Sequence, residues 1–141
     1  PVTAPCNFHM QLQGIHHIAL NVSDLDRSER FYTDILGFNV THRFSTGLRH
    51  IMLDTGNALL ALFETPELEM EPALQQLSDK GYMHFAFATN REEFVKIIDE
   101  LKTKNVTIDS GPVVRGAGES IYFTDPDRNH LEIRCDAPQQ S

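Results

Sequence analysis

Hydrophobic and polar positions along the chain fall into one rhythm that occurs twice. Gly14–Val22 (GIHHIALNV) alternates, with Ile15, His17, Ala19 and Asn21 on one side and His16, Ile18, Leu20 and Val22 on the other, as a strand requires. Ser23 with Asp26 in the capping-box position predicts a helix start, and Leu25, Phe31, Tyr32, Ile35 and Leu36 give that helix its apolar face. Gly37 ends it. Phe38–Phe44, Arg49–Asp54 and Ala58–Phe63 read as three further strands, the last two joined by the hairpin signal Thr55-Gly56-Asn57. The pattern then restarts. Tyr82–Ala88 is a strand, and Asn90 with Glu93 caps a helix whose apolar face is Phe94, Val95, Ile97, Ile98 and Leu101. Val106–Ile108 with its extension, Ser120–Thr124 and His130–Cys135 complete the second set of strands.

The predicted fold is therefore α+β, two βαβββ modules in tandem with a period of about seventy residues. The modules span about 12–64 and 82–136 within one domain, 12–136, joined by a linker, 65–81, and flanked by tails at 1–11 (flexible) and 137–141. A short helix near Pro72 and a solvated acidic face from Glu64 to Glu71 are expected around the linker. An internal duplication implies a pseudo-twofold axis, with curved sheets enclosing a central cleft and the helices outside. Laying His17 on His84 puts Glu132 opposite Ala61, or opposite Leu60 if the turn is gapped by one.

Composition narrows the function classes. The 141 residues suffice for one domain with its own core. A net charge of −8 disfavours nucleic acid, whose phosphates call for clustered Lys and Arg. No apolar run reaches the length of a membrane span, and Pro1–Leu12 lacks the apolar segment of a signal peptide. Cys6 and Cys135 do not make a disulfide framework, so the expected location is cytoplasmic and the expected partner a small molecule.

The candidate chemistry lies in SIYFTDPDRNHLEIRC, Ser120–Cys135. Glu132 stands between Leu131 and Ile133, which would bury the opposite face of their strand, and a carboxylate so placed needs a partner. His17 and His84 occupy equivalent strands upstream. Two imidazoles and a carboxylate make a facial triad for a divalent ion (Fe, Mn, Ni, Co or Zn), leaving open positions for a substrate. Against this stand a surface salt bridge from Glu132 to Arg134 or Arg128 and ordinary strand histidines. His130 shares the strand face of Glu132 and could orient a ligand. Tyr122 is a candidate for polarising a substrate oxygen or for plugging the core. Arg115 is a candidate anion binder or a solvated loop charge, and Asp125-Pro126-Asp127 is read as a turn that sets the register of Glu132.

IHHIALNVSDLDRSERFYTDILGF, MHFAFA and SIYFTDPDRNHLEIRC, in that order and spacing, resemble the vicinal oxygen chelate superfamily across nearly all of Leu12–Asp136. That superfamily includes glyoxalases, extradiol dioxygenases, fosfomycin-resistance enzymes and bleomycin-binding proteins. The resemblance implies a metal-dependent enzyme on a substrate with vicinal oxygens, ligands His17, His84 and Glu132, and a homodimer with the site within a chain or shared between chains. Three ligands lean towards dioxygenase chemistry, and Tyr122, Asp125 and Pro126 match the extradiol signature. Arg128 departs from that signature, as does the lack of a His in Gly111–Ser120. A glyoxalase, with glutathione as co-substrate, would need Glu64 as fourth ligand, although Glu64 lies three residues past Ala61 and faces the other side of a regular strand. RGAGESIY, Arg115–Tyr122, is similar to the fosfomycin-resistance enzymes, but Ala19 replaces their usual Thr and the chain ends before the basic residue of the transferases. Bleomycin-binding proteins usually lack the ligands, which argues against that reading; a non-catalytic small-molecule binding protein stands as the second class of function.

Overall fold

The computed structural model describes residues 10–67 and 83–136, so the tails and most of the linker, with its expected helix, lie outside the described residues. Two four-stranded sheets carry the fold. The first holds β1 (His17–Val22), β2 (Asn39–Phe44), β3 (His50–Asp54) and β4 (Leu59–Glu64) in the order β1-β4-β3-β2. The second holds β5 (His84–Thr89), β6 (Ser110–Arg115), β7 (Gly118–Thr124) and β8 (His130–Asp136) in the matching order β5-β8-β7-β6. In both, the first strand runs parallel to the fourth, and the helix between the first two strands provides the crossover. β1 and β5 are edge strands, so the sheets remain open.

Helix α1 (Leu25–Arg30) runs into one π-helical turn, Phe31–Ile35. Its N-cap is Asp24, whose side chain accepts from the Arg27 amide at 3.1 Å, rather than Ser23. Ser23 is engaged elsewhere, donating its hydroxyl to Asp127 at 2.5 Å. Gly37, at φ 77°, ends the helical run as expected. Helix α2 (Arg91–Thr103) has the predicted cap, with Asn90 accepting from the Glu93 amide at 2.8 Å. The strand expected from Val106–Ile108 begins later, at Ser110, because Val106 and Ile108 pack against the core as partly buried connectors after α2.

A single apolar cluster unites the modules. Leu20, Val22, Leu60 and Leu62 of the first sheet join Phe31 of the first helical run, Phe94 and Leu101 of α2, and Ile121, Leu131 and Ile133 of the second sheet. Phe31 meets Phe123 at 6.5 Å and Phe38 meets Phe87 at 5.2 Å between ring centres, so aromatic contacts tie one module to the other. Lys104, after α2, donates to the carbonyls of Asp34 and Ile35 at 2.9 and 3.3 Å, a cation placed on the C-terminal end of the first helical run. The helices lie on the core side of the sheets. By strand alternation, His17, Ala19 and Asn21 occupy the other, exposed face of β1, while Leu20 and Val22 are buried.

Candidate metal centre

Strand pairing assigns each donor its place. His84 pairs with His130, and Ala86 with Glu132; in the first module His17 pairs with Leu59, and Ala19 with Ala61. Glu132 therefore corresponds to Ala61, the ungapped alternative. Leu131 and Ile133 are buried in the core, which turns Glu132 onto the opposite face. That face also carries Tyr122, which pairs with Glu132, and Ser120, which pairs with Arg134.

Glu132 is 6% exposed even in a single chain, so its carboxylate depends on partners. Its Oε1 lies 3.2 Å from His84 Nε2, and Ser120 Oγ donates to its Oε2 at 2.7 Å. The surface ion pair with Arg134 or Arg128 is not what engages it. Arg134 instead donates to the Arg115 carbonyl at 2.6 Å and to Ser120 Oγ at 3.5 Å. Arg115 Nε donates to the Tyr122 hydroxyl at 3.3 Å, and its guanidinium sits 5.9 Å from that ring. Arg115 is thus not merely a solvated loop charge, and Tyr122, 7% exposed, is the register partner of Glu132 with Arg115 on its hydroxyl. His130 is half-buried on the same face. Ser120 and Arg134 were missed as site residues; both share a strand face with Tyr122 and Glu132 at a spacing of two, which was the available signal.

His17 stands apart. It lies on the exposed face of β1 in the other sheet, where its Nδ1 is 2.8 Å from Nδ1 of His16. Among the described residues, no three His, Cys, Asp or Glu side chains of one chain form a group able to hold a metal. The sheets of one chain therefore do not enclose the expected metal cleft. The reason is in the packing: the faces that meet inside the chain are the apolar ones, and the donor faces turn away from them. A cleft of about 510 Å³ opens between the β1 and β5 edges, but Ile18, Leu20, Phe85, Phe87 and Leu131 line it, and only His84 of the three donors reaches it.

Glu64 has another task. It pairs with Val22, its Oε2 accepts from the Leu25 amide at 2.9 Å at the start of α1, and Arg49 lies 3.3 Å away. No bulge turns it towards Ala61, and its carboxylate is engaged at the start of α1. Asp125 and Asp127 do more than form a turn. Asp125 accepts from the buried Tyr32 hydroxyl at 2.7 Å, and Asp127 accepts from Ser23, Arg27 and Ser28 at 2.5, 3.2 and 3.3 Å. Burial pushes the Asp125 carboxyl up from its ordinary value, against the lowering pull of its hydrogen bonds from Asn129 and Tyr32.

The donor set suits a divalent ion in chemistry: one imidazole and one buried carboxylate already adjacent, with a hydroxyl orienting the carboxylate. A third donor has to come from another face.

A family model described as Glyoxalase/Bleomycin resistance protein/Dioxygenase superfamily matches residues 14–133. Glutathione transferase FosA of Serratia marcescens is 34% identical over 86% of this chain and 80% of its own length. Fosfomycin resistance protein FosX of Listeria monocytogenes is 34% identical over 88% of this chain and 90% of its own. Among solved structures, a glyoxalase/dioxygenase from Nostoc punctiforme is 32% identical with a TM-score of 0.73, covering 97% of both chains.

Proposed function

Because the chain belongs to the Glyoxalase/Bleomycin resistance protein/Dioxygenase superfamily, the vicinal oxygen chelate proteins, we propose that it is a metal-dependent enzyme of the fosfomycin-resistance kind, adding a thiol to a small oxygen-bearing electrophile at a site shared by two copies. The observation that carries this reading is the buried carboxylate of Glu132, with the exposed His84 ring 3.2 Å from its Oε1, Ser120 holding its second oxygen and His17 exposed on a separate sheet. Two chains arranged face to face would let His17 of each complete the pair of the other. The donor set accepts Mn, Fe, Co, Ni or Zn.

The bound ion would supply Lewis-acid polarisation of a substrate oxygen. Ser120 keeps Glu132 oriented, and His84 and Glu132 fix the position of the electrophile. Arg115 Nε donates to the Tyr122 oxygen, which leaves the phenolic O–H free to donate to the oxygen released when the C–O bond breaks and the S–C bond forms. The thiol proton ends on that released oxygen. An anionic substituent would be matched by the Arg115 and Arg134 pair.

The lean towards dioxygenase chemistry is not supported, since the two curated relatives above are a glutathione transferase and a fosfomycin resistance protein. Glu64, the fourth ligand that a glyoxalase reading needs, accepts from the Leu25 amide at the helix start, which weighs against that alternative.

Elemental analysis with light scattering tests the shared site. The purified dimer should bind one divalent ion per chain and lose it in both His17→Ala and Glu132→Gln. Metal retained in both variants would overturn the reading. Loss in both, followed by loss of fosfomycin consumption with glutathione and Mn(II), would support it.

A further inference from the structure

The first sheet carries a feature that the second lacks. Phe44, His50 and Phe63 are register partners across β2, β3 and β4. Their rings stack in one row, with centres 4.4 Å apart at each step and planes within 11° and 13° of parallel. His42 flanks the row, 6.0 Å from Phe44 and 16° from parallel. The row follows from register, because strands about 4.8 Å apart set neighbouring rings at nearly stacking distance.

The row lies on the face of His17, since Leu59, Ala61 and Phe63 alternate with the buried Leu60 and Leu62, and Asn21 pairs with Phe63. Phe44 is 41% exposed and His42 is exposed, so this face leaves aromatic surface in water. The duplication shows that the fold does not require it. At the equivalent places in the second sheet stand Val113, Ser120 and Arg134, paired in the same register. The ring row of the first sheet thus has no aromatic residue at the three equivalent places of the second.

The row also stops one strand short of the sheet edge. Beyond Phe63 the next register position is Asn21, and towards His17 stands Ala19, a small exposed side chain whose partner Ala61 is buried. His50 adds a polar mark. Its Nδ1 donates to the Leu48 carbonyl at 2.7 Å, so in the neutral ring Nε2 is the acceptor, held between two phenyl rings.

We propose that this row is the binding wall for the body of the substrate, and that the substrate is a two-ended molecule. Resting on the metal reading above, its oxygen-bearing head is held at the metal and a flat, ring-bearing tail continues the stack beside Phe63, over Ala19 and Asn21. The four residue steps from His17 to Asn21 span about 13 Å of strand, so a tail reaching Phe63 belongs to a molecule larger than a three-carbon epoxide. A ring with an O–H or N–H donor near His50 would be preferred over a bare one.

NMR titration of 4-phenylbutane-1,2-diol against decane-1,2-diol, which has the same carbon count, tests the subsite on the intact protein with and without Mn(II). The aryl diol should bind up to about tenfold tighter, the worth of one added aromatic contact. Phe63→Leu, which removes the stacking partner, and Ala19→Leu, which fills the place of the tail, should each reduce that preference. Ala19 is exposed, so its variant keeps the test open if Phe63→Leu unfolds. No aryl preference in the parent protein, or an unchanged preference in the Leu variants, would overturn the proposal. So would a shift of oligomeric state on Phe63→Leu without a change in diol binding, since the row would then be a contact between copies. An aryl preference that persists in protein that binds no Mn(II) would uphold the wall while removing the metal reading.

Discussion

Tyr32 and Asp125 stand 93 positions apart and share a buried hydrogen bond of 2.7 Å. The first belongs to the helical run of one module, the second to the β7–β8 turn of the other. With Asp127 bound to Ser23, Arg27 and Ser28, the contact ties one end of α1 to the hairpin that carries Glu132.

Tyr32→Phe removes the donor and leaves a buried carboxylate with one partner fewer. A loss of about 1–3 kcal/mol in unfolding free energy is expected from urea denaturation. An effect of a few tenths would mean that the contact contributes little to joining the modules.

The same pair sets a pH dependence. Burial, then the charge of Asp125, raises the Tyr32 phenol well above its ordinary 10.0. In the unfolded chain the phenol loses its proton near the ordinary value, while the native protein retains it, so above that pH the unfolded state binds fewer protons. The contribution of Tyr32 to stability is complete below the unfolded pKa and is lost as pH rises through the native one. Stability should therefore fall more steeply in alkali for the parent than for Tyr32→Phe. Tyr32 should give no phenolate absorbance until the chain unfolds.

Ser120→Ala leaves Glu132 Oε2 without its hydroxyl donor. Loss of such an orienting partner typically weakens metal affinity by roughly 10–100-fold. Competition with a chelator should show this weakening while the circular dichroism spectrum stays that of the parent. Unchanged affinity would mean that Glu132 is oriented by the strand alone.

Glu64→Ala separates a helix cap from a ligand. The Leu25 amide loses its acceptor, and a cost of about 0.5–2 kcal/mol follows. Bound metal per chain should not change. A drop in metal content would restore Glu64 to the ligand set.

The repeat, the element order and the alignment of Glu132 with Ala61 were legible because each rests on local periodicity. Asp24 displaced Ser23 as the cap because Ser23 has a partner 104 positions away, which no local pattern can reveal. The buried work of Asp125 and Asp127 was hidden for the same reason. Alternation shows which residues share a face of a strand, and it placed His17 opposite Ile18 correctly. It does not show which other sheet that face will meet, so the choice between a site within one chain and one shared by two was not legible in the sequence. The ring row was invisible because His42, Phe44, His50 and Phe63 become neighbours only once three strands are in register.

The division of His17 from His84 and Glu132 has a genetic consequence for a shared site. A chain carrying His17→Ala and a chain carrying Glu132→Gln would each be inactive alone, yet the mixed pair would contain one complete set of donors and one set lacking both. Two defective alleles would then complement each other, whereas two alleles both altered at Glu132 would not.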